Sequence, residues 1–204
     1  MKKIALCLAL ASVYGSAQAA TLSILNLSSE FVVSGYNGQP AAITGAKTAG
    51  NFGTLVTDGK GTVAATYLGS ESGYKDGFRF VLEGLELNEA NSPGDSISKS
   101  VTGGTVAFQF FDSKGFTFND GSASGPTLGF AFLKDGPGSG FGESNAYGDF
   151  QYLLGFNDSS RSDADYDDYV VGVNFASAVP LPAALPLMAS AVGLIGVGMR
   201  RRKA

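Results

Sequence analysis

The stretch Phe156-Asn-Asp-Ser-Ser-Arg-Ser-Asp-Ala-Asp-Tyr-Asp-Asp-Tyr-Val-Val171 gathers six oxygen-bearing side chains within twelve residues: Asn157, Asp158, Asp163, Asp165, Asp167 and Asp168. Hard carboxylate and amide oxygens at this density suit Ca²⁺, which takes about six to eight oxygens at roughly 2.3–2.6 Å. Five Asp crowded into one segment also repel one another, and a divalent cation is the counter-charge that relieves them. Geometry sets a condition. On an extended strand Asp163, Asp165 and Asp167 share a face, but neighbours along it stand about 6.6 Å apart. One ion reaches all three only where the loop curls. The plain alternative is a solvated acidic hairpin loop.

Other chemistries find less support. Asp163-x-Asp165-x-Asp167 copies the opening of an EF-hand loop, but position six is Asp168 where Gly is required and position twelve is Asn174 in place of Glu. The residues from Tyr169 onward read as a strand, where an EF-hand enters a helix. The chain contains no His, which excludes Ser-His-Asp triads, Cys-His dyads and His-based zinc sites. Ser96-Ile-Ser-Lys99 fits a Ser-x-x-Lys pattern, yet it follows Pro93-Gly94 in what reads as a loop and has no partner motif. Gly136-Pro-Gly-Ser-Gly-Phe-Gly142 lacks phosphate-loop spacing and no helix follows, so it reads as a connection. A carboxylate pair on a β-scaffold, Glu83 or Glu86 with another Glu, would suit a glycosidase. The absence of Trp, on which sugars stack, weighs against it. The expectation is a protein that is not an enzyme.

Strand signals dominate the body that must position the acidic stretch. Thr62–Leu68, Phe78–Leu87 and Thr105–Phe111 are rich in β-branched and aromatic residues. In the second, Phe78, Phe80 and Leu82 alternate with Arg79, Val81 and Glu83, the period of a half-buried strand. Further strands are expected at Thr21–Leu27, Glu30–Tyr36, Phe52–Thr57, Thr127–Leu133, Phe150–Gly155 and Tyr169–Phe175. Asp58-Gly59-Lys60-Gly61, Asn91-Ser-Pro-Gly-Asp95 and Asp135-Gly-Pro-Gly138 punctuate them. No window of the body sustains an amphipathic helix. The expected fold is all-β, an antiparallel β-sandwich of jelly-roll type, with helix confined to the two ends.

Those ends read as addresses. Lys2 and Lys3 precede an apolar run from Ile4 to Val13, and Ala17-Gln18-Ala19 offers small residues at both specificity positions of a signal peptidase. Cleavage is expected before Ala20, which makes 1–19 a signal peptide and leaves a passenger of 20–177 with no cysteine. At the other end, 178–204 holds Val179, Pro180, Leu181, Pro182, Ala183 and Ala184, then a charge-free run to Met199, then Arg200, Arg201, Arg202 and Lys203. Leu181–Met199 as a helix is about 28 Å long, close to a hydrocarbon core. The basic end would anchor it in the cytoplasm. Without both ends, eight basic residues face eighteen acidic ones. So acidic a passenger argues against nucleic-acid binding and favours solubility and cation binding.

Val179-Pro180-Leu181-Pro182-Ala183-Ala184, the single apolar span and the Arg/Lys end together resemble a PEP-CTERM sorting signal of Gram-negative bacteria, with Leu181 in place of the name-giving Glu. The resemblance covers about 26 of 204 residues. It implies export through the inner membrane, transient anchoring there, and cutting by an exosortase near the Pro-Leu-Pro motif. The usual setting is a biofilm- or floc-forming cell that makes exopolysaccharide, and display at the cell surface or in the extracellular matrix is the implied fate. A second, shorter resemblance joins Phe156, Asp158, Asp163, Asp165, Tyr166, Asp168 and Val170 to the closing motif of DUF4114-like β-domains of exported proteins. Asn157 stands there for the usual Glu, and Asp167 for the usual Asn.

Overall fold

The computed structural model describes residues 18–36, 43–115, 117–119, 129–158 and 164–178. The expected leader helix, the sorting tail and Asp163 lie outside the described residues. Among those described there are sixteen strands and no helix. The chain enters through β1 (Leu22–Leu25), β2 (Phe31–Val32), β3 (Ala49–Asn51) and β4 (Thr54–Thr57), then runs the long β5 (Gly61–Gly69). A hairpin of β6 (Gly77–Phe80) and β7 (Leu85–Asn88) follows, then β8 (Ser96–Val101), β9 (Gly104–Thr105), β10 (Phe108–Phe111) and β11 (Thr117–Asn119). The last part supplies β12 (Gly129–Lys134), the small pair β13 (Glu143–Asn145) and β14 (Gly148–Phe150), then β15 (Tyr152–Asn157) and β16 (Tyr169–Ser177).

All pairings are antiparallel. A seven-stranded sheet runs β2-β3-β12-β15-β16-β5-β8, beside a four-stranded sheet β11-β10-β6-β7, a three-stranded sheet β1-β4-β9 and the pair β13-β14. Alternation decides what each face of the large sheet meets. Phe130, Phe132, Leu154, Phe156, Tyr169, Val171 and Val173 face a cluster completed by Phe78, Phe80, Phe108 and Phe110 of the four-stranded sheet and by Leu22 and Leu55 of the three-stranded one. The intervening Ala131, Leu133, Leu153 and Val170 face a second cluster with Val33, Ile43, Phe150 and Tyr166. Covered on both sides, β12 is buried along its whole length, and its Gly129–Leu133 is an unbroken apolar run. Phe110 stacks on Phe156 at 5.2 Å and on Phe130 at 5.5 Å, and Tyr67 stacks on Tyr169 at 4.7 Å. Such pairs add about 0.5–1.5 kcal/mol each beyond the area they bury. Every strand and both clusters belong to one compact unit, Ala20–Ala178. That unit therefore holds what a domain needs to fold alone.

Two local expectations are corrected. Phe78–Leu87 is a hairpin and not one strand: Gly84 takes the left-handed conformation (φ 65°), and Leu82 is 81% exposed at the turn. Ser96–Lys99 lies in β8, the edge strand paired with β5, and the Lys99 ammonium is spent on Glu83 at 3.0 Å. Asp165–Asp167 is loop, as expected, with Tyr166 in the left-handed region (φ 58°).

One buried charge is paired away from the acidic loop. Lys47, 1% exposed, donates to Glu143 Oε2 at 2.7 Å, to Thr44 O at 3.1 Å and to Asp135. Burial pushes the Glu143 pKa up, but hydrogen bonds from Lys47 and Thr44 outweigh it, and the net shift is downward. A carboxyl held below its unfolded value contributes stability above about pH 4.5 and loses it as pH falls through the folded value. Glu143→Gln should therefore cost about 1 kcal/mol at pH 7 and flatten the acid limb of the stability curve. Denaturant melts between pH 3 and 7 check both.

Candidate metal centre

The topology brings two distant loops to one end of the large sheet. β5 ends at Gly69 opposite Val170, near the start of β16, and Tyr169 pairs with Phe156 near the end of β15. The loop that leaves β5 (residues 70–76) and the loop joining β15 to β16 (158–168) therefore leave the sheet side by side. At that point the register slips: Val170 and Val171 oppose Gly69 and Tyr67, which leaves Leu68 as the extra residue of a bulge. Bulges strengthen twist and re-aim the side chains beyond them.

Glu71, Asp165 and Asp167 meet there. One carboxylate oxygen from each lies within 4.8 Å of the others. Two oxygens each about 2.4 Å from a common ion can stand that far apart, so the spacing suits Ca²⁺. Asp165 and Asp167 are buried, at 6% and 0% exposure, and Glu71 is exposed. The curl that the sequence required is supplied by Tyr166. Its backbone turns left-handed while its ring, fully buried, packs 5.6 Å from Phe31 and 6.3 Å from Phe52. A left-handed non-glycine costs about 1–2 kcal/mol, which the burial of the ring offsets. Asp165 and Asp167 flank that anchor and converge where an extended strand would hold them apart. Ser34 N, donating to Ala164 O at 3.3 Å, ties the loop to the segment after β2. The Tyr36 hydroxyl is buried without a hydrogen-bond partner. Burial first, then the charges of Asp167, Glu143 and Glu71, raise its pKa.

Asp158 and Asp168 sit apart from that trio. Asp158 N donates to Asp168 Oδ2 at 2.7 Å, and Ser72 Oγ donates to Asp158 Oδ2 at 2.7 Å. Asn157 ends β15 with its side chain fully buried. Of the six side chains read from the sequence, Asp165 and Asp167 share one centre, Asp158 and Asp168 join each other beside it, and Asp163 is outside the described residues.

Two acidic residues of this region escaped sequence reading, Glu71 and Asp76. Both belong to Ser70-Glu71-Ser72-Gly73-Tyr74-Lys75-Asp76, an oxygen-rich loop whose only signal was its composition between two strand runs. Asp76 is fully buried, and its pKa is pushed up to about 8 by burial and by Asp158, Asp168 and Glu89, against a smaller opposing effect of Ser72. A separate cleft of about 600 Å³ is lined by Lys75, Glu86, Glu89, Phe111 and Asp112 among others.

Comparison of the chain with protein-family models, with curated proteins and with solved structures finds no match.

Proposed function

We propose that this is an exported, non-enzymatic β-sandwich of jelly-roll type, stabilised by calcium and displayed at or released from the surface of a Gram-negative cell. Its role is structural or adhesive, in the envelope or the exopolysaccharide matrix. The observation that carries the metal half is the convergence of Glu71, Asp165 and Asp167 from two loops far apart in sequence. The sandwich is supported by the first aromatic cluster, which draws one face of the seven-stranded sheet onto residues of the four- and three-stranded sheets. A cation plentiful outside the cell and scarce inside would rigidify the passenger after export.

Support for export comes from where the compact unit begins and stops. Ala20 N donates to Ser177 Oγ at 2.8 Å, and Ala178 N to Lys60 O at 2.9 Å, so the two ends of the passenger meet. Signal peptidase would cut beside one end and an exosortase beside the other, reading Val179, Pro180, Leu181, Pro182 and Ala183, with Arg200 to Lys203 setting orientation. Deleting the host's exosortase should leave the full tail on a cell-associated protein. Intact mass of the protein in both strains checks it, and an unchanged mass for the released form would sink the sorting reading.

A carbohydrate-binding role is the second reading. The cleft beside the acidic loops favours it, with three carboxylates and the Phe111 ring along its wall. The same carboxylates, Glu86, Glu89 and Asp112, are what a glycosidase version would draw on.

A further inference from the structure

Phe78, Phe80, Leu87, Phe108 and Phe110 of the four-stranded sheet belong to the aromatic core, so the residues that alternate with them face outward. Register sets those outward residues in two rows. Glu86, Arg79 and Gln109 stand opposite one another in the first, and Asn88, Gly77 and Phe111 in the second. Arg79 donates through Nε to Gln109 Oε1 at 2.7 Å and sets its guanidinium 5.0 Å from the centre of the Phe111 ring. Gly77 is a gap in the second row. A Cβ there would run into the Phe111 ring, so the ring leans across bare backbone. Asn88 and Phe111, on either side of that gap, both line the cleft of about 600 Å³, a volume usual for sites that take small molecules.

The polar side chains of the cleft are pinned by hydrogen bonds. Asn88 Oδ1 accepts from Ala90 N at 2.9 Å, and Asn88 Nδ2 donates to Glu86 Oε1 at 3.3 Å. Ser70 Oγ donates to Glu89 Oε1 at 2.8 Å, and Lys75 N donates to Ser113 Oγ at 3.2 Å. Groups fixed in this way lose little entropy when a ligand binds. Flat amide and carboxylate groups beside an aromatic ring match a sugar, whose hydroxyls bond the former and whose C–H groups pack on the latter. The charge of the wall narrows the choice, because Glu86, Glu89 and Asp112 stand there with Lys75 as the single cation among the described residues. Such a wall repels an acidic sugar and draws an ammonium. We propose that this cleft binds a saccharide carrying free amines, a hexosamine chain. Glu86 and Glu89 take the ammonium, Asn88 and Ser113 the hydroxyls, and the Phe111 ring the C–H groups of one sugar. The proposal rests on the carbohydrate-binding reading and gives it a ligand class.

The test titrates the unit Ala20–Ala178 calorimetrically with a glucosamine tetramer, an N-acetylglucosamine tetramer and spermidine. Salt at about 0.15 M screens distant charges. The glucosamine tetramer should bind at least about tenfold tighter than either other probe, the worth of one charge-assisted hydrogen bond. Phe111→Leu, which changes no charge, should weaken that binding at least about fivefold. Should Phe111→Leu not fold, Glu86→Gln with Glu89→Gln, at an exposed and a half-buried position, should erase the preference for the amine over its acetylated form. A preference kept in that double variant would overturn the proposal. Equal binding of the acetylated tetramer, lost in Phe111→Leu, would overturn the amine and leave the cleft as a site for neutral sugars. Equal binding of spermidine, or native affinity in a folded Phe111→Leu, would reduce the effect to the general attraction of an acidic domain for cations and overturn the proposal. No binding of either tetramer would overturn the carbohydrate-binding reading along with it.

Discussion

Calcium added to the chelator-treated unit Ala20–Ala178 should raise its melting temperature by about 5–10 °C. Sites of extracellular modules bind with Kd near 10⁻⁴ M at the tight end. Calcium at roughly one hundred times Kd then stabilises the folded state by about 2.7 kcal/mol. For a domain of this size each kcal/mol moves the midpoint by about 2–4 °C. The physical source is local. Asp165 and Asp167 are buried close to each other and to Glu71, and in a medium poorer than water their mutual repulsion is large. An ion between them turns that repulsion into attraction, and it does so only in the folded chain, because unfolding separates the two loops. Asp165→Asn with Asp167→Asn should cut the shift to half or less. Mg²⁺ should give a smaller shift, because it demands a tight octahedron at about 2.0–2.1 Å and loses its water reluctantly. Differential scanning calorimetry with each ion reads all three. A shift unchanged in the double variant would dismiss the Glu71–Asp165–Asp167 centre.

What could be seen in the sequence depended on how local its cause was. Phe130–Leu133 announced a strand because both of its faces are covered, so every residue along it is apolar. Leu82 misled, because it kept the period-two pattern of Phe78 and Phe80 while standing in a turn. The sign of that turn was a single glycine, Gly84. The edge strand Ser96–Val101 stayed hidden for a related reason. Its outward serines carry no hydrophobic alternation, and a polar edge of that kind discourages pairing with other chains. The same logic divides the candidate metal centre. Asp165 and Asp167 were legible through density alone, whereas Glu71 reaches them only through the pairing of β5 with β16. Burial of the Asp76 carboxylate is a tertiary fact that no window of sequence contains. The curl at Tyr166 was likewise stated as a condition, and what meets it is the ring's contact with Phe31 and Phe52, which lie far upstream.

Gly155→Ala should be the most damaging small substitution near the site, costing about 3 kcal/mol, the upper end of what overpacking causes. Gly155 lies in β15, paired with Ala131 on one side and Val170 on the other. A Cβ there would stand 2.1 Å from the Tyr166 carbonyl oxygen and 2.6 Å from Leu133 Cδ1. Leu133 belongs to a packed cluster, and the Tyr166 carbonyl is backbone whose ring is wedged beside Phe31 and Phe52. Relief is therefore available chiefly by lifting the loop, which carries Asp165 and Asp167 away from Glu71. Calcium affinity should fall at least about tenfold, equivalent to 1.4 kcal/mol, beyond the loss of stability. Gly172→Ala separates the two effects. Its Cβ would come 2.4 Å from the Phe150 ring, a side chain of the same cluster as Tyr166 but not one of the two rings, Phe31 and Phe52, beside which Tyr166 is wedged. That variant should also melt lower, yet bind calcium within about twofold of the native domain, less than half a kcal/mol. Isothermal titration of both variants below their melting points decides it. Native affinity in Gly155→Ala would mean that the acidic loop keeps its curl without resting on the strand beneath it, and the bare backbone at Gly155 would then serve packing alone.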